Sequence, residues 1–161
     1  MSLIVRSSVV DVHLPRAPRT QVITKNPHCL KENDSILQAA KLMKEQGVGV
    51  LPVVDNNRKP CGIVTDRDIV LRCIGEGHDY NQCKMKDVLS KNVQKIYEDQ
   101  TIDEALDIMK KNQLRRLVCV DRNDKLCGVL SLCDLAQKLN DNNLLGDLVR
   151  NIHLQKGSQR T

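Results

Sequence analysis

Two short segments of the sequence each place a side-chain hydroxyl three residues before a carboxylate: Thr65 precedes Asp68, and Ser131 precedes Asp134. We call these the first pair and the second pair. Each follows an apolar run and precedes a helical pattern, so the hydroxyl can cap the helix while the carboxylate lies in its first turn. A carboxylate has two acceptor oxygens, which suits the two hydroxyls of a ribose, and the capping hydroxyl can reach toward ribose or phosphate. The same spacing also describes an ordinary capping box that binds nothing.

The two pairs belong to an internal repeat. Residues 24–70 align with residues 90–136 at a constant offset of 66 without a gap, and 15 of the 47 aligned positions are identical. Self-similarity at a fixed period indicates one structural unit that is used twice. The hydroxyl and the carboxylate therefore recur at equivalent places in two similar units.

The first helix of each unit is predicted from a capping residue and an apolar stripe. In the first unit Asp34 or Ser35 is the cap and Gly47 is the stop, and in the second unit Thr101 is the cap. The stripes have helical spacing and consist of Ile36, Ala39, Ala40 and Met43, then of Ile102, Ala105, Leu106 and Met109.

The remaining elements of a unit are strands and a second helix. A short strand around Val22-Ile23 precedes the first helix, and two strands joined by a polar turn follow it. The second helix is predicted from about residue 65 to 74, and again from 131 to 139. One unit of roughly 50 residues has too little apolar surface to fold alone. We therefore expect an α/β (α+β) fold in which two β-α-β-β-α repeats pack with pseudo-twofold symmetry.

The expected domain boundaries follow from the repeat. They are an extended N-terminal arm at 1–20, a first repeat at 21–78, a second repeat at 86–142, and a C-terminal helix or tail at 143–161.

Composition excludes several classes of partner. Only 1% of the residues are aromatic, so a pocket for a base must be aliphatic, and single-stranded nucleic acid, which stacks on aromatic side chains, is disfavoured. The net charge of +5 suits a small anion, but the basic residues are interleaved with 20 acidic ones rather than gathered into a stripe. No apolar run approaches the ~20 residues that span a bilayer. We expect neither a nucleic-acid partner nor a membrane partner.

The seven cysteines indicate a reduced, cytoplasmic protein. Their number is odd, and they have no CxxC spacing and no signal peptide before them. The neighbouring histidines do not have the spacing of zinc ligands, so we expect no metal. Cys61 and Cys127 occupy identical repeat positions, where two buried hydrophobic thiols are favoured over a redox pair.

The strand and turn segments resemble the signature of cystathionine β-synthase (CBS) domains. The resemblance is carried by Val50–Asp55 (VLPVVD) and Gly62–Asp68 (GIVTDRD), and the second repeat varies it at 117–121 (LVCVD) and 128–134 (GVLSLCD). It covers about residues 20–140. It implies a pair of CBS domains, often called a Bateman module, which binds AMP, ADP, ATP, NAD or S-adenosylmethionine in clefts between the copies. It also implies that two such pairs associate into a homodimer.

The resemblance further implies roles for particular residues. The start of each repeat would lie against adenine, which concerns Ile23, Thr24, Asn26 and Pro27 in the first repeat, and Leu89 and Ser90 in the second. Arg115 and Arg116 stand where γ subunits of AMP-activated kinase carry a His-Arg pair that touches phosphate. By the same resemblance, phosphate contacts cross between the copies. Arg115 and Arg116 would then serve the ligand of the first pair, and Arg67 the ligand of the second.

The sequence thus predicts a regulatory module that binds an adenine nucleotide or another adenosyl ligand, requires no cofactor, and acts on an effector protein in trans. No nucleophile and base have a recognisable catalytic spacing, and there is no phosphate-cradling glycine-rich loop, so we expect no enzymatic activity. Because the Arg-Arg sequence occurs only in the second repeat, the cleft of the first pair is expected to bind a phosphorylated ligand more tightly.

The alternative is a structural dimerisation module with empty clefts. Apolar residues on the second helices favour a homodimer in either case, because uncovered apolar faces mark interfaces. These residues are Ile69, Val70 and Ile74 in the first repeat, and Leu135 and Leu139 in the second.

Overall fold

The computed structural model of the chain describes residues 23–138 and 142–154. The first repeat contains β1 (Thr24–Lys25), α1 (Ile36–Gln46), β2 (Val50–Val54), β3 (Pro60–Thr65) and α2 (Asp66–Ile69), which continues as a π-helical turn at Val70–Ile74. The second part contains α3 (Met85–Val88), β4 (Lys95–Tyr97), α4 (Ile102–Asn112), β5 (Arg116–Val120), β6 (Leu126–Ser131), α5 (Leu132–Lys138) and α6 (Asn142–Leu154). The predicted α+β fold is confirmed. The arm predicted for residues 1–20 and the tail beyond Gly157 lie outside the described residues.

Capping residues begin the two long helices as predicted. The side chains of Ser35 and Thr101 each accept a hydrogen bond from the backbone N–H three residues further on. Gly47 ends α1 with φ of 63°, in the left-handed region that glycine adopts without strain. Its counterpart Gln113 ends α4 with φ of 53°. Both long helices therefore end on a residue with left-handed backbone geometry, whether that residue is glycine or glutamine.

The apolar stripes of these helices face the core with one exception. In α1 the prediction was wrong for Ala40, which is exposed while the other three stripe residues are buried. In α4 three stripe residues are buried and Ile102 is half-buried. Position 40 lies at the edge of the stripe, where the longer side chain of its counterpart Leu106 reaches the core and a single methyl group does not.

Strands of one repeat pair with strands of the other. β1 of the first repeat pairs antiparallel with β6 of the second, which gives a sheet of order β1-β6-β5-β4. β2 and β3 form the other sheet, and Ser90 makes the matching antiparallel bridge to Ile63. Each repeat thus completes the sheet of the other, as the pseudo-twofold relation requires.

Two equivalent glycines allow the strand that crosses from one repeat to pack closely on the sheet of the other. A Cβ atom on Gly128 would overlap Ile23 Cγ2 and lie 3.1 Å from the Thr24 carbonyl oxygen. A Cβ atom on Gly62 would overlap Leu89 Cδ1. A side chain at either position would displace the Ile23 or Leu89 side chain, so both glycines serve close approach of the crossing strand. Ile23 and Leu89, which were expected against adenine, pack on these glycines.

Each repeat has its own apolar core. One cluster includes Leu51 and Met85, a second includes Leu117 and Leu148, and a third, smaller one joins the repeats through Val54, Val118, Val120 and Leu126. Part of these separate cores comes from outside the β-α-β-β-α pattern, because α3 supplies Met85 and α6 supplies Leu148.

The second helices are more covered than the sequence suggested. Ile69 and Leu135 were expected to be exposed but are 8% and 0% exposed, whereas Val70 and Ile74 are exposed as expected. Leu139 lies outside the described residues. None of the described helices has the length and apolar composition needed to cross a membrane.

Candidate functional site

A cleft of about 610 Å³ lies between the repeats beside the second pair, and we call it the second cleft. Its volume is within the ~300–1,000 Å³ typical of small-molecule sites. The first repeat lines it with residues 24–28 and 46–52. The second repeat contributes Arg116, Val129, Ser131, Cys133 and Asp134. Thr24, Asn26 and Pro27, which the sequence proposed, therefore lie in one cleft with the second pair.

The end of β6 and the start of α5 position the second pair. The Ser131 hydroxyl and the Ser131 N–H donate to Asp134 Oδ2 at 2.5 and 2.8 Å. The Asp134 N–H donates in return to Ser131 Oγ at 3.1 Å. This capping box uses one carboxylate oxygen, and among the side chains that the structure describes no cation pairs with Asp134. Oδ1 is therefore available to accept hydrogen bonds from a ligand.

Arg116 supplies positive charge to the second cleft. It is half-buried and stands opposite Ser131 in the register of β5 and β6. The sequence assigned Arg116 to the ligand of the first pair, and Arg116 also lines the small cavity of about 30 Å³ beside Asn92 and Val93, so that assignment stays a prediction. Because β5 and β6 are adjacent antiparallel strands, a residue at the start of β5 lies beside the end of β6 in its own repeat.

The other two proposed arginines lie elsewhere. Arg115 is exposed, and its backbone carbonyl accepts a hydrogen bond from the Leu132 N–H at 2.9 Å. Arg67 is exposed on α2. Neither is part of the described lining of the second cleft.

The first pair forms the same box in different electrostatic surroundings. The Thr65 N–H and hydroxyl donate to Asp68 Oδ2 at 2.9 and 2.8 Å. The other oxygen, Asp68 Oδ1, lies 3.4 Å from Arg72 Nη2. Arg72 Nη1 also donates to Ser90 Oγ at 3.1 Å and to the Val88 carbonyl oxygen at 2.7 Å. The two pairs therefore match in backbone geometry, but a guanidinium of the chain itself engages the first.

Several residues that line the second cleft were missed from the sequence. His28, Val48 and Cys133 line that cleft, and the counterparts of His28 and Val48, which are Gln94 and Leu114, line a cavity of about 30 Å³. The repeat alignment could have identified Cys133, since it stands inside the second [ST]-x-x-D segment. The engagement of Asp68 could also have been suspected, because an arginine four residues after an aspartate lies on the same helix face.

The cysteines differ in exposure and acidity. Cys61 and Cys127 are half-buried rather than fully buried as expected, and burial raises the pKa of both thiols. Burial, with a smaller contribution from the neighbouring thiol of Cys73, raises the pKa of Cys83 to about 11. Cys133 is exposed in the second cleft. It is therefore the thiol that a water-soluble reagent reaches most readily.

The chain is similar to known proteins in sequence and in fold. The sequence profile of the CBS domain matches residues 20–75 and 85–141. The CBS domain-containing protein YhcV of Bacillus subtilis is 37% identical over 136 residues, which cover 84% of this chain and 91% of that protein.

Two solved structures have the same fold. The CBS domain pair of protein MJ0100, in complex with 5′-methylthioadenosine and S-adenosyl-L-methionine, has a TM-score of 0.66 and 25% identity over 75% of this chain and 98% of that one. CBSX2 in complex with AMP has a TM-score of 0.63 and 23% identity over 74% of this chain and 93% of that one.

Proposed function

Because the chain belongs to the CBS-domain family, we propose that it is a ligand-sensing module that binds a phosphorylated adenosyl compound in the second cleft. The observation that supports this most directly is the combination, in one cleft of suitable volume, of the Arg116 guanidinium with an Asp134 carboxylate oxygen that no described side chain engages. The complex of MJ0100 with two adenosyl compounds supports the choice of ligand class.

The nucleoside part of the ligand is matched by the side of the cleft near Asp134. Its Oδ1 can accept from the ribose hydroxyls, and a charged acceptor makes stronger hydrogen bonds than a neutral one. Val50, Pro52 and Val129 provide an aliphatic surface for the flat base. A base that packs on aliphatic side chains needs no aromatic partner, which agrees with the near absence of aromatic residues in the chain.

The phosphate part of the ligand is matched by the cations of the cleft. Arg116 presents a planar guanidinium that can bind two phosphate oxygens at once. Lys25 also lines the cleft. The lining therefore has two cationic side chains, Arg116 and Lys25, and one carboxylate, Asp134. This charge favours an anionic ligand such as AMP over uncharged adenosine.

We assign no catalytic step to this cleft. Ligand binding would instead favour one relative orientation of the two repeats, since the cleft is lined by both, and an effector protein in trans would respond to it. A cytoplasmic location stays a prediction from the cysteine content.

A homodimer is part of the proposal. The π-helical turn after α2 exposes Val70, Leu71 and Ile74 at 52%, 51% and 59%. Large apolar side chains that are exposed together on one short turn are typical of an interface. A second copy of the chain is the partner that the family resemblance favours.

Thermal unfolding with adenosine, AMP, ATP, S-adenosylmethionine and GTP tests the ligand. Ligand at 100 times its dissociation constant should add about 2.7 kcal/mol to the free energy of unfolding, which is several degrees in a domain of this size. Arg116→Ala should reduce the stabilisation by AMP but not that by adenosine. Arg67→Ala, which removes an exposed arginine outside the described lining, is the control. If no adenosyl compound shifts the melting temperature at millimolar concentration, the structural dimerisation module is the better interpretation.

A further inference from the structure

We propose that Arg72 is a latch that keeps ligand away from the first pair, so that each chain binds one adenosyl ligand rather than two. The inference deepens the proposed function and rests on it, since it concerns the pseudo-symmetric counterpart of the second cleft. It assigns Arg72 a role in determining which of two equivalent positions is used.

The contacts of Arg72 carry the proposal. Its guanidinium lies 3.4 Å from Asp68 Oδ1 and donates to Ser90 Oγ at 3.1 Å and to the Val88 carbonyl oxygen at 2.7 Å. The Asp68 side chain is 14% exposed, so little water competes with Arg72 for the Oδ1 atom. One side chain therefore joins α2, the end of α3 and the start of the second repeat.

These are the positions that a ligand would need. In the second cleft, the counterpart of Asp68 is Asp134 and the counterpart of Ser90 is Thr24, and both line open space. At the first pair, the two equivalent groups are held by one cation. A ribose hydroxyl that approached Asp68 Oδ1 would have to displace a guanidinium that has three acceptors in place.

The local helix geometry differs between the repeats in the same region. Arg72 lies in the π-helical turn Val70–Ile74, where the Gly75 N–H donates to the Val70 carbonyl oxygen at 2.7 Å. π-Turns change the direction of the side chains within a helix and occur often at functional positions. The counterpart α5 is an α-helix over Leu132–Lys138, and the residue equivalent to Arg72 is Lys138, which has no planar fork to bridge several acceptors.

The test counts AMP sites per chain by titration calorimetry on the full-length protein. The wild type should bind one AMP per chain, and Arg72→Ala should bind one more. In the double variant Arg72→Ala with Asp134→Asn, the new site should remain while the original one is weakened. Lys86→Ala removes a neighbouring exposed positive charge on α3 and should leave the number of sites unchanged. Arg72→Gln, which retains donors for the Val88 carbonyl oxygen, should give the same extra site if the alanine variant folds poorly.

The failures of the two proposals are distinguishable. The latch is contradicted if the wild type and both Arg72 variants bind the same number of AMP molecules per chain. It is also contradicted if the wild type has two AMP sites and Asp68→Asn removes one of them. A wild type that binds no AMP contradicts the proposed function instead. Even then, the appearance of a site in Arg72→Ala would support the latch, and its absence would contradict it.

Discussion

Replacing Asp134 by Asn should weaken AMP binding by about 10-fold to 100-fold, and the same change at Asp68 should alter it less than about 3-fold. Asp134 Oδ2 accepts the N–H and the hydroxyl of Ser131, which leaves Oδ1 for the ribose. An asparagine has one acceptor oxygen and one amide group. Whichever way it turns, either the capping box or the ribose loses its acceptor.

The magnitude follows from the type of bond that is lost. A hydrogen bond to a charged group contributes about 1.5–3 kcal/mol and one to a neutral group about 0.5–1.5 kcal/mol. Each ribose hydroxyl that loses the charged acceptor therefore loses roughly 1.4 kcal/mol, or a factor of about 10 in affinity. When both ribose hydroxyls donate to Oδ1, the two losses add and give the upper value of about 100-fold.

Titration calorimetry at a fixed salt concentration measures the two affinities, and thermal unfolding without ligand checks that both variants fold. Asp68→Asn is a matched control because it disturbs the same box in the other repeat and, in addition, the contact with Arg72. An equal or larger loss of affinity in Asp68→Asn would refute the assignment. It would return the ligand to the first pair, as the sequence alone had suggested.

Three other outcomes are expected. Gly128→Val should lower the free energy of unfolding by about 1–3 kcal/mol in thermal melts, because the valine side chain would overlap the crossing strand. Gly146 has open space around it in α6, so Gly146→Ala should raise the free energy of unfolding by up to about 1 kcal/mol. Leu71→Asp should convert a dimer of twice 18.2 kDa into a monomer in light scattering, and an unchanged mass would place the interface elsewhere. At pH 8 iodoacetamide should modify Cys133 well before Cys83, whose pKa of about 11 keeps it protonated. Peptide mass spectrometry should also show that AMP slows the reaction of Cys133, and no protection would contradict binding in the second cleft.

The parts of the fold that were predictable depend on local signals. The caps at Ser35 and Thr101 and the two hydroxyl–carboxylate boxes form within a few residues, so sequence spacing is enough to predict them. The repeat predicted the order β-α-β-β-α within each unit, but not α3. Ala40 shows the limit of the stripe rule, because the size of the side chain decides whether an edge position reaches the core.

The parts that were not predictable depend on non-local geometry. Placing Arg116 required the register of β5 against β6, which a linear pattern does not contain. The spacing of Arg72 from Asp68 is local, but the contacts that also hold Arg72 to Ser90 and Val88, 18 and 16 residues away along the chain, are not. The sequence analysis therefore expected the tighter site at the first pair, whereas the packing there brings Arg72 against the second oxygen of Asp68.

The pairing of β1 with β6 has a consequence for the order in which the chain folds. Thr24 meets Val129, so this contact closes a loop that contains most of both repeats, and the entropic cost of closure favours its formation after the repeats themselves. Residues 24–28 are also one wall of the second cleft. A ligand would then stabilise the docking of this late segment.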